Sequence, residues 1–209
     1  MSHWHEWHVD YDDPGSTLAR RLQVVQDLLG RALDTAPPGP VRLLSLCAGQ
    51  ARDVLGVVLR HPRRNDVRGR LVELDPGNAA VAREGLRHAG LDGIDVLVAD
   101  AGTTDSANGA VPADIVLLCG IFGNITDVDI ERTIRAVPVL CAPAATVLWT
   151  RHRRPPDLVP RIVDWFAASG FAQVDVVKPA GTLSTVGSHR LVAPPQEFEP
   201  GRRLFSFVS

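Results

Sequence analysis

From residue 41 onward, short apolar runs alternate with segments of helical periodicity, and no other feature restricts the fold as much. "VRLLSLC" (41–47), "GRLVELD" (69–75), "IDVLVAD" (94–100), "ADIVLLCG" (113–120), "ATVLWT" (145–150) and "FAQVDVV" (171–177) read as strands. "ARDVLGVVLRH" (51–61), "NAAVAREGLRHAG" (78–90), "DVDIERTIRAVPVL" (127–140) and "DLVPRIVDWFAASG" (157–170) read as helices. Strands joined by helical crossovers build a parallel sheet with helices on its faces. Two late runs, "SHRLVA" (188–193) and "RRLFSFV" (202–208), lie too close together for crossovers and are expected as antiparallel strands. Ahead of the first strand, Leu18, Leu22, Val25, Leu29 and Ala32 fall on one helical face, with Ser16 placed to cap it and "APPGP" (36–40) to end it.

The expected fold is therefore α/β: a single-domain Rossmann-like open sheet, mostly parallel, with antiparallel C-terminal strands and helices on both faces. Residues 1–40 form an N-terminal arm and helix, expected as a lid, and residues 41–209 the core. The 209 residues, 45% hydrophobic, suit one such core. A net charge of -2 gives no general attraction to nucleic acid or an anionic membrane. No apolar run approaches the ~20 residues of a membrane span. The start, "MSHWHEWHVDYDDPG", lacks the basic and apolar regions of a signal peptide. Three cysteines without a CxxC pair fit a reducing cytoplasm.

In an open parallel sheet, ligands bind beyond the carboxyl ends of the strands. The first strand ends in "LCAGQARD" (46–53). A dinucleotide needs G-x-G-x-x-G there, so that backbone can approach a pyrophosphate. Only Gly49 is present, beside Cys47, Ala48, Gln50 and Ala51. A ligand without phosphate tolerates those small side chains.

This stretch resembles the first motif of the class I, Rossmann-like S-adenosylmethionine (SAM)-dependent methyltransferases, hydrophobic-acidic-hydrophobic-G-x-G-x-G. Ser45 stands at the acidic position, Cys47 and Ala51 at the outer glycines, and Gly49 at the central one. "LVELDPGNAAVAR" (71–83) resembles the family's second strand, where the acid three residues before a proline binds the ribose hydroxyls. That rule selects Glu73, followed by Leu74, and leaves Asp75 as a helix N-cap. "VLVADA" (96–101) implies that Asp100 accepts from the adenine amine and that the Ala101 amide serves a ring nitrogen. "ADIVLLCGIFGNI" (113–125) resembles the fourth motif, with Cys119 and Gly120 facing the methyl group and Phe122 beside the acceptor. The resemblance runs from about Val41 to Thr150. The W-H and Y-D-D-P start also resembles a group of small actinobacterial-type methyltransferases.

The resemblance implies SAM as cofactor, S-adenosylhomocysteine as its product, and methyl transfer to an O, N or C nucleophile. The N-terminal segment carries two Trp, three His and one Tyr within nine residues. Tyr11 could face the sulfonium, Trp4 and Trp7 could wall an acceptor pocket, and Arg20 or Arg21 could reach the cofactor carboxylate. Alternatively, the segment is a packing arm along the sheet edge. His3, His5 and His8 fit no familiar zinc spacing, so no metal is expected. A proton acceptor is sought near the ends of the fourth and fifth strands. His152 is the first candidate and His189 the second, with Asn124 as an orienting group. "RHRR" (151–154) could hold an anionic acceptor through Arg151, Arg153 or Arg154, whereas "RHPRRNDVRGR" (60–70) reads as a solvated face. Cys47 and Cys119, ending neighbouring strands, are expected close together.

No N-P-P-Y motif, Pro-Cys pair or target-recognition domain points to nucleic acid or protein methylation. The expected partner is a small molecule, for a monomer or homodimer. Two other readings stay open: a SAM- or nucleoside-binding protein without turnover, and an NAD(P)-dependent oxidoreductase, against which the missing glycines count.

Overall fold

The computed structural model describes Tyr11 and residues 13–208. Seven strands, β1 (Val41–Leu46), β2 (Val67–Glu73), β3 (Ile94–Val98), β4 (Ala113–Leu118), β5 (Cys141–His152), β6 (Phe171–Val177) and β7 (Ser184–Leu191), form one sheet in the order β3-β2-β1-β4-β5-β7-β6. The strands from β3 across to β5 pair in parallel, while β7 runs antiparallel to both β5 and β6. Chain order reverses beside β1, between β2 and β4. A crevice opens there because the crossovers leave toward opposite faces.

Helices α1 (Thr17–Thr35), α2 (Arg52–Val58) and α3 (Pro76–His88) cover one face, and α4 (Asp127–Ala136) and α5 (Val159–Ala168) the other. The α1 periodicity buries Val25, Leu28, Leu29, Ala32 and Leu33, and Ser16 Oγ caps the helix by accepting from the Ala19 amide at 2.9 Å. On the opposite face, α4 ends before Pro138, and residues Val137–Val139 continue as a 3-10 turn, since proline removes a helix donor. No helix of the described residues is long and apolar enough to cross a membrane.

Two expectations are corrected here. The basic run 60–70 is partly a clamp: Arg63 donates to the carbonyls of Leu33, Ala36, Pro37 and Gly39 at 2.7–3.0 Å, satisfying the end of α1. Arg64 likewise donates to Ala89 O at 2.6 Å. The tail 202–208 is no sheet strand; its ladder pairing is limited to two isolated bridges with the loops beyond β3 and β4, Thr103 with Arg203 and Ile125 with Phe207. Its amides are spent on those loops and on α4: Leu204 N–H donates to Gly102 O at 2.8 Å, Val208 N–H to Asn124 O at 2.9 Å and Ser206 N–H to Asp129 Oδ2, in the first turn of α4, at 3.1 Å.

The fully buried Trp149 lies against Phe122, Phe166 and His189. Its indole also covers Gly187 of β7, where an added Cβ would overlap the ring. Gly187→Ala is therefore expected to cost about 1–3 kcal/mol by overpacking. A fall in Tm checks this, and an unchanged Tm would mean the indole has room to move.

Candidate functional site

The chain turns sharply after β1. Cys47, Gly49 and Ala51 all adopt left-handed backbone, with φ of 59°, 56° and 60°. A non-glycine residue pays roughly 1–2 kcal/mol for that conformation, so tertiary bonds must impose it. Those bonds are visible. Ala48 N–H donates to Val72 O at 2.9 Å, Gly49 N–H to Glu73 Oε2 at 2.7 Å, and Ala51 N–H to Ala48 O at 2.9 Å. The other Glu73 oxygen accepts from the Asp75 amide at 2.9 Å. The carboxylate is nearly buried and sews the first turn to the end of β2. Asp75 is instead the N-cap of α3, accepting from the Asn78 amide at 2.8 Å. Asp75→Ala should lower Tm through loss of about 1 kcal/mol of capping and leave ligand affinity unchanged. A large affinity loss would make Asp75 the ligand-binding acid.

A cleft of about 750 Å³ opens over this turn, well within the size of small-molecule sites. Cys47, Ala48, Gly49, Glu73, Leu74, Asp100, Ala101, Cys119 and Gly120 all line it. Leu74 is 62% exposed into it. Asp100 accepts from the Gly102 amide and from Arg203, at 2.7 and 2.8 Å. Tyr11 and Arg21 also line the cleft, and Arg21 donates to the Tyr11 hydroxyl at 2.9 Å. Arg20 turns away, donating to Ala180 O at 3.1 Å. Trp4, Trp7, His3, His5 and His8 lie outside the described residues.

No protein-family model and no curated protein sequence matches the chain. Solved structures do. Magnesium protoporphyrin IX methyltransferase from Synechocystis PCC 6803, with bound SAM, aligns with a TM-score of 0.69 at 9% identity, over 90% of this chain and 91% of its own. An O-methyltransferase family protein from Burkholderia thailandensis aligns with a TM-score of 0.65 at 16% identity, over 87% of this chain. This chain spans only 56% of that protein's length. An RNA methyltransferase from Salinibacter ruber, in complex with S-adenosyl-L-homocysteine, aligns at 0.52 and 19% identity, over 85% of this chain and 95% of its own. The fold is the Rossmann-like methyltransferase fold.

Within this methyltransferase fold, several expected site residues stand elsewhere. His189 is buried in the core, 1% exposed, and stacked on Phe166 at 4.4 Å. Its Nδ1 accepts from the Trp149 indole at 3.1 Å. Burial pushes its pKa down to about 4, so it is a neutral core residue and not a base in the cleft. Phe122 is fully buried against Trp149, and only its carbonyl is used, accepting from Arg151. It does not wall the acceptor. Arg153 donates to Thr185 Oγ1 and Asp157, both at 2.8 Å, and serves the loop after β5. Cys47 packs into the layer of α4 and α5 and Cys119 into that of α1–α3. The two thiols therefore share the cleft lining but not a layer, and burial raises both pKa values.

His152, Asn124 and Arg151 do line the cleft. His152 Nδ1 accepts from the Arg154 amide at 3.3 Å, which assigns the proton of the neutral ring to Nε2. Burial lowers its pKa, and the Arg151 and Arg154 cations lower it further. It faces the cleft as a neutral donor, not as a poised base. Asn124 Nδ2 donates to Gly120 O at 2.7 Å and closes that loop.

Arg154, expected as an acceptor-holding group, lines the cleft, and so do Asp53, Ser184 and Phe207, which the sequence did not single out. Asp53 was legible as an acid directly after the first turn. Phe207 was not, because nothing local brings the tail to the strand ends.

Proposed function

We propose that this chain binds SAM in the cleft and transfers its methyl group to a small-molecule acceptor. The turn after β1 carries the reading. It has the left-handed backbone of a glycine motif at Cys47, Gly49 and Ala51, yet its Ala48, Gly49 and Ala51 amides are spent within the protein. A diphosphate would find those donors taken and the Glu73 carboxylate beside it, which argues against a nicotinamide dinucleotide.

The residues present fit an unphosphorylated nucleoside with an amino-acid tail. Each Glu73 oxygen holds one amide and keeps acceptor capacity for a ribose hydroxyl. Leu74 offers an apolar face to the adenine, with Asp100 and the Ala101 amide for its polar edge. Arg21 supplies a cation for the carboxylate of the tail, and Asp53, whose pKa burial raises and the Val54 amide and Arg21 hold down, supplies an acceptor for its ammonium. When bound, SAM supplies an electrophilic methyl whose carbon–sulfur electron pair returns to sulfur as the acceptor's lone pair forms the new bond. Around it, Cys47, Cys119 and Gly120 are small enough to leave the acceptor a direct line of approach, and Tyr11 helps exclude water. His152 Nε2–H orients the acceptor by donating to it.

One observation favours a second reading. His152 spends its basic nitrogen on a backbone amide, so the described residues place no free base at the acceptor. A SAM-binding protein without turnover would look the same. Incubation with methyl-labelled SAM and a panel of small hydroxyl, amine and carboxylic acid acceptors separates the two. Label appearing in an acceptor supports the enzyme. A cofactor-saturated protein that labels nothing supports the binder.

A further inference from the structure

The charges of the cleft are not evenly spread. Asp53, Glu73, Asp75 and Asp100 stand beyond β1, β2 and β3, in the proposed cofactor half. Arg21 and Arg52, from α1 and α2, also line the cleft, with Arg21 near both Asp53 and Cys119; the loop after β5 contributes Arg151 and Arg154 and no lining carboxylate among the described residues. Arg151 is anchored through the Phe122 carbonyl, and its buried Nε has no partner among the described residues. The Arg154 side chain is exposed and makes no hydrogen bond or ion pair among the described residues. The nearby carboxylate of Asp157 is already taken by Arg153 and by the Val159 amide.

We propose, on the reading that the cleft holds SAM, that the acceptor is an ionised carboxylic acid held by Arg151 and Arg154. SAM carries a net positive charge, and although Asp127 and Asp157 temper Arg151, a neutral acceptor would leave the Arg154 guanidinium and a sulfonium in one half-enclosed site with no anion between them. A carboxylate relieves that repulsion, and a guanidinium fork matches its two oxygens. Phe207, from the tail, adds an apolar wall for the body of such a molecule. The same class removes a chemical difficulty: an acid that arrives ionised has no proton to lose, so the commitment of His152 Nδ1 to a backbone amide is no obstacle. Methyl transfer to the carboxylate oxygen would join that oxygen to the methyl carbon and return the broken bond's pair to sulfur. Both the anionic and the sulfonium charge would vanish, loosening the product from the two arginines.

Ligand-observed NMR titration of the full chain with benzoate and with benzamide, its neutral isostere, tests the class. It is run with and without S-adenosylhomocysteine. Benzoate should bind about tenfold or more tightly than benzamide. Arg154→Gln should erase most of that preference, while Arg87→Gln, on the outer face of α3, should keep it. Equal binding of the two probes, weak or strong, or an unchanged preference in Arg154→Gln, overturns the proposal. Failure of S-adenosylhomocysteine to bind would remove the proposed function instead, and the benzoate preference of the cofactor-free cleft would still decide the acceptor charge.

Discussion

Replacing Glu73 by Gln should weaken SAM binding by roughly ten- to a hundredfold, the loss of about 1.5–3 kcal/mol that accompanies a charged hydrogen-bond acceptor in a nearly buried position. Two effects add. The ribose hydroxyls lose an ionised acceptor. The amide nitrogen also replaces one of the oxygens that now face the Gly49 and Asp75 amides, setting donor against donor. The turn holding Cys47 and Ala51 in left-handed backbone then loses a tie that imposes it. Calorimetry with SAM measures the affinity, and a thermal melt separates it from unfolding. An unchanged dissociation constant in a folded variant would remove Glu73 from the site.

A marked dependence of stability on pH is expected from His189. Its ordinary pKa is about 6.5 in an unfolded chain, and burial among Trp149 and Phe166 depresses it to about 4 in the fold. Between those values the unfolded chain binds a proton that the folded chain does not, so stability falls as pH falls through this window. The full effect is about 3 kcal/mol, most of it reached by pH 4 and complete just below it. His189→Gln keeps an oxygen to accept from the Trp149 indole and cannot titrate, so its stability should fall less between pH 7 and pH 4.5. Chemical denaturation of both proteins across that range checks this. Parallel pH profiles would show that His189 charges freely in the folded state.

Much of the scaffold was legible because its signals are local. Ser16 and Asp75 cap the helices their positions imply, and the apolar runs became strands because alternation with helical segments allows few other sheets. The proline spacing that separated Glu73 from Asp75 is also local, and the two carboxylates have the distinct surroundings it implied. What the sequence concealed depends on distant partners. Nothing in Cys47 or Ala51 announces positive φ; bonds to β2 impose it. His189 looked like a candidate base because a histidine near strand ends carries no mark of burial, yet β7 is buried along nearly its whole length. "RRLFSFV" has strand-like alternation, but its amides meet loop carbonyls and the Asp129 carboxylate before any strand can pair with it. Phe122 and Arg153 follow the strands of the site in sequence and still turn away from it, one into the core and one to Asp157.

The most direct measurement is calorimetric titration of the purified protein with SAM, S-adenosylhomocysteine, NAD and NADP in parallel. Saturable one-to-one binding of the first two, with no heat from either dinucleotide, is the predicted result. Binding of NAD or NADP with no binding of SAM would contradict it, because the turn would then hold the diphosphate that its committed amides and Glu73 are argued to refuse.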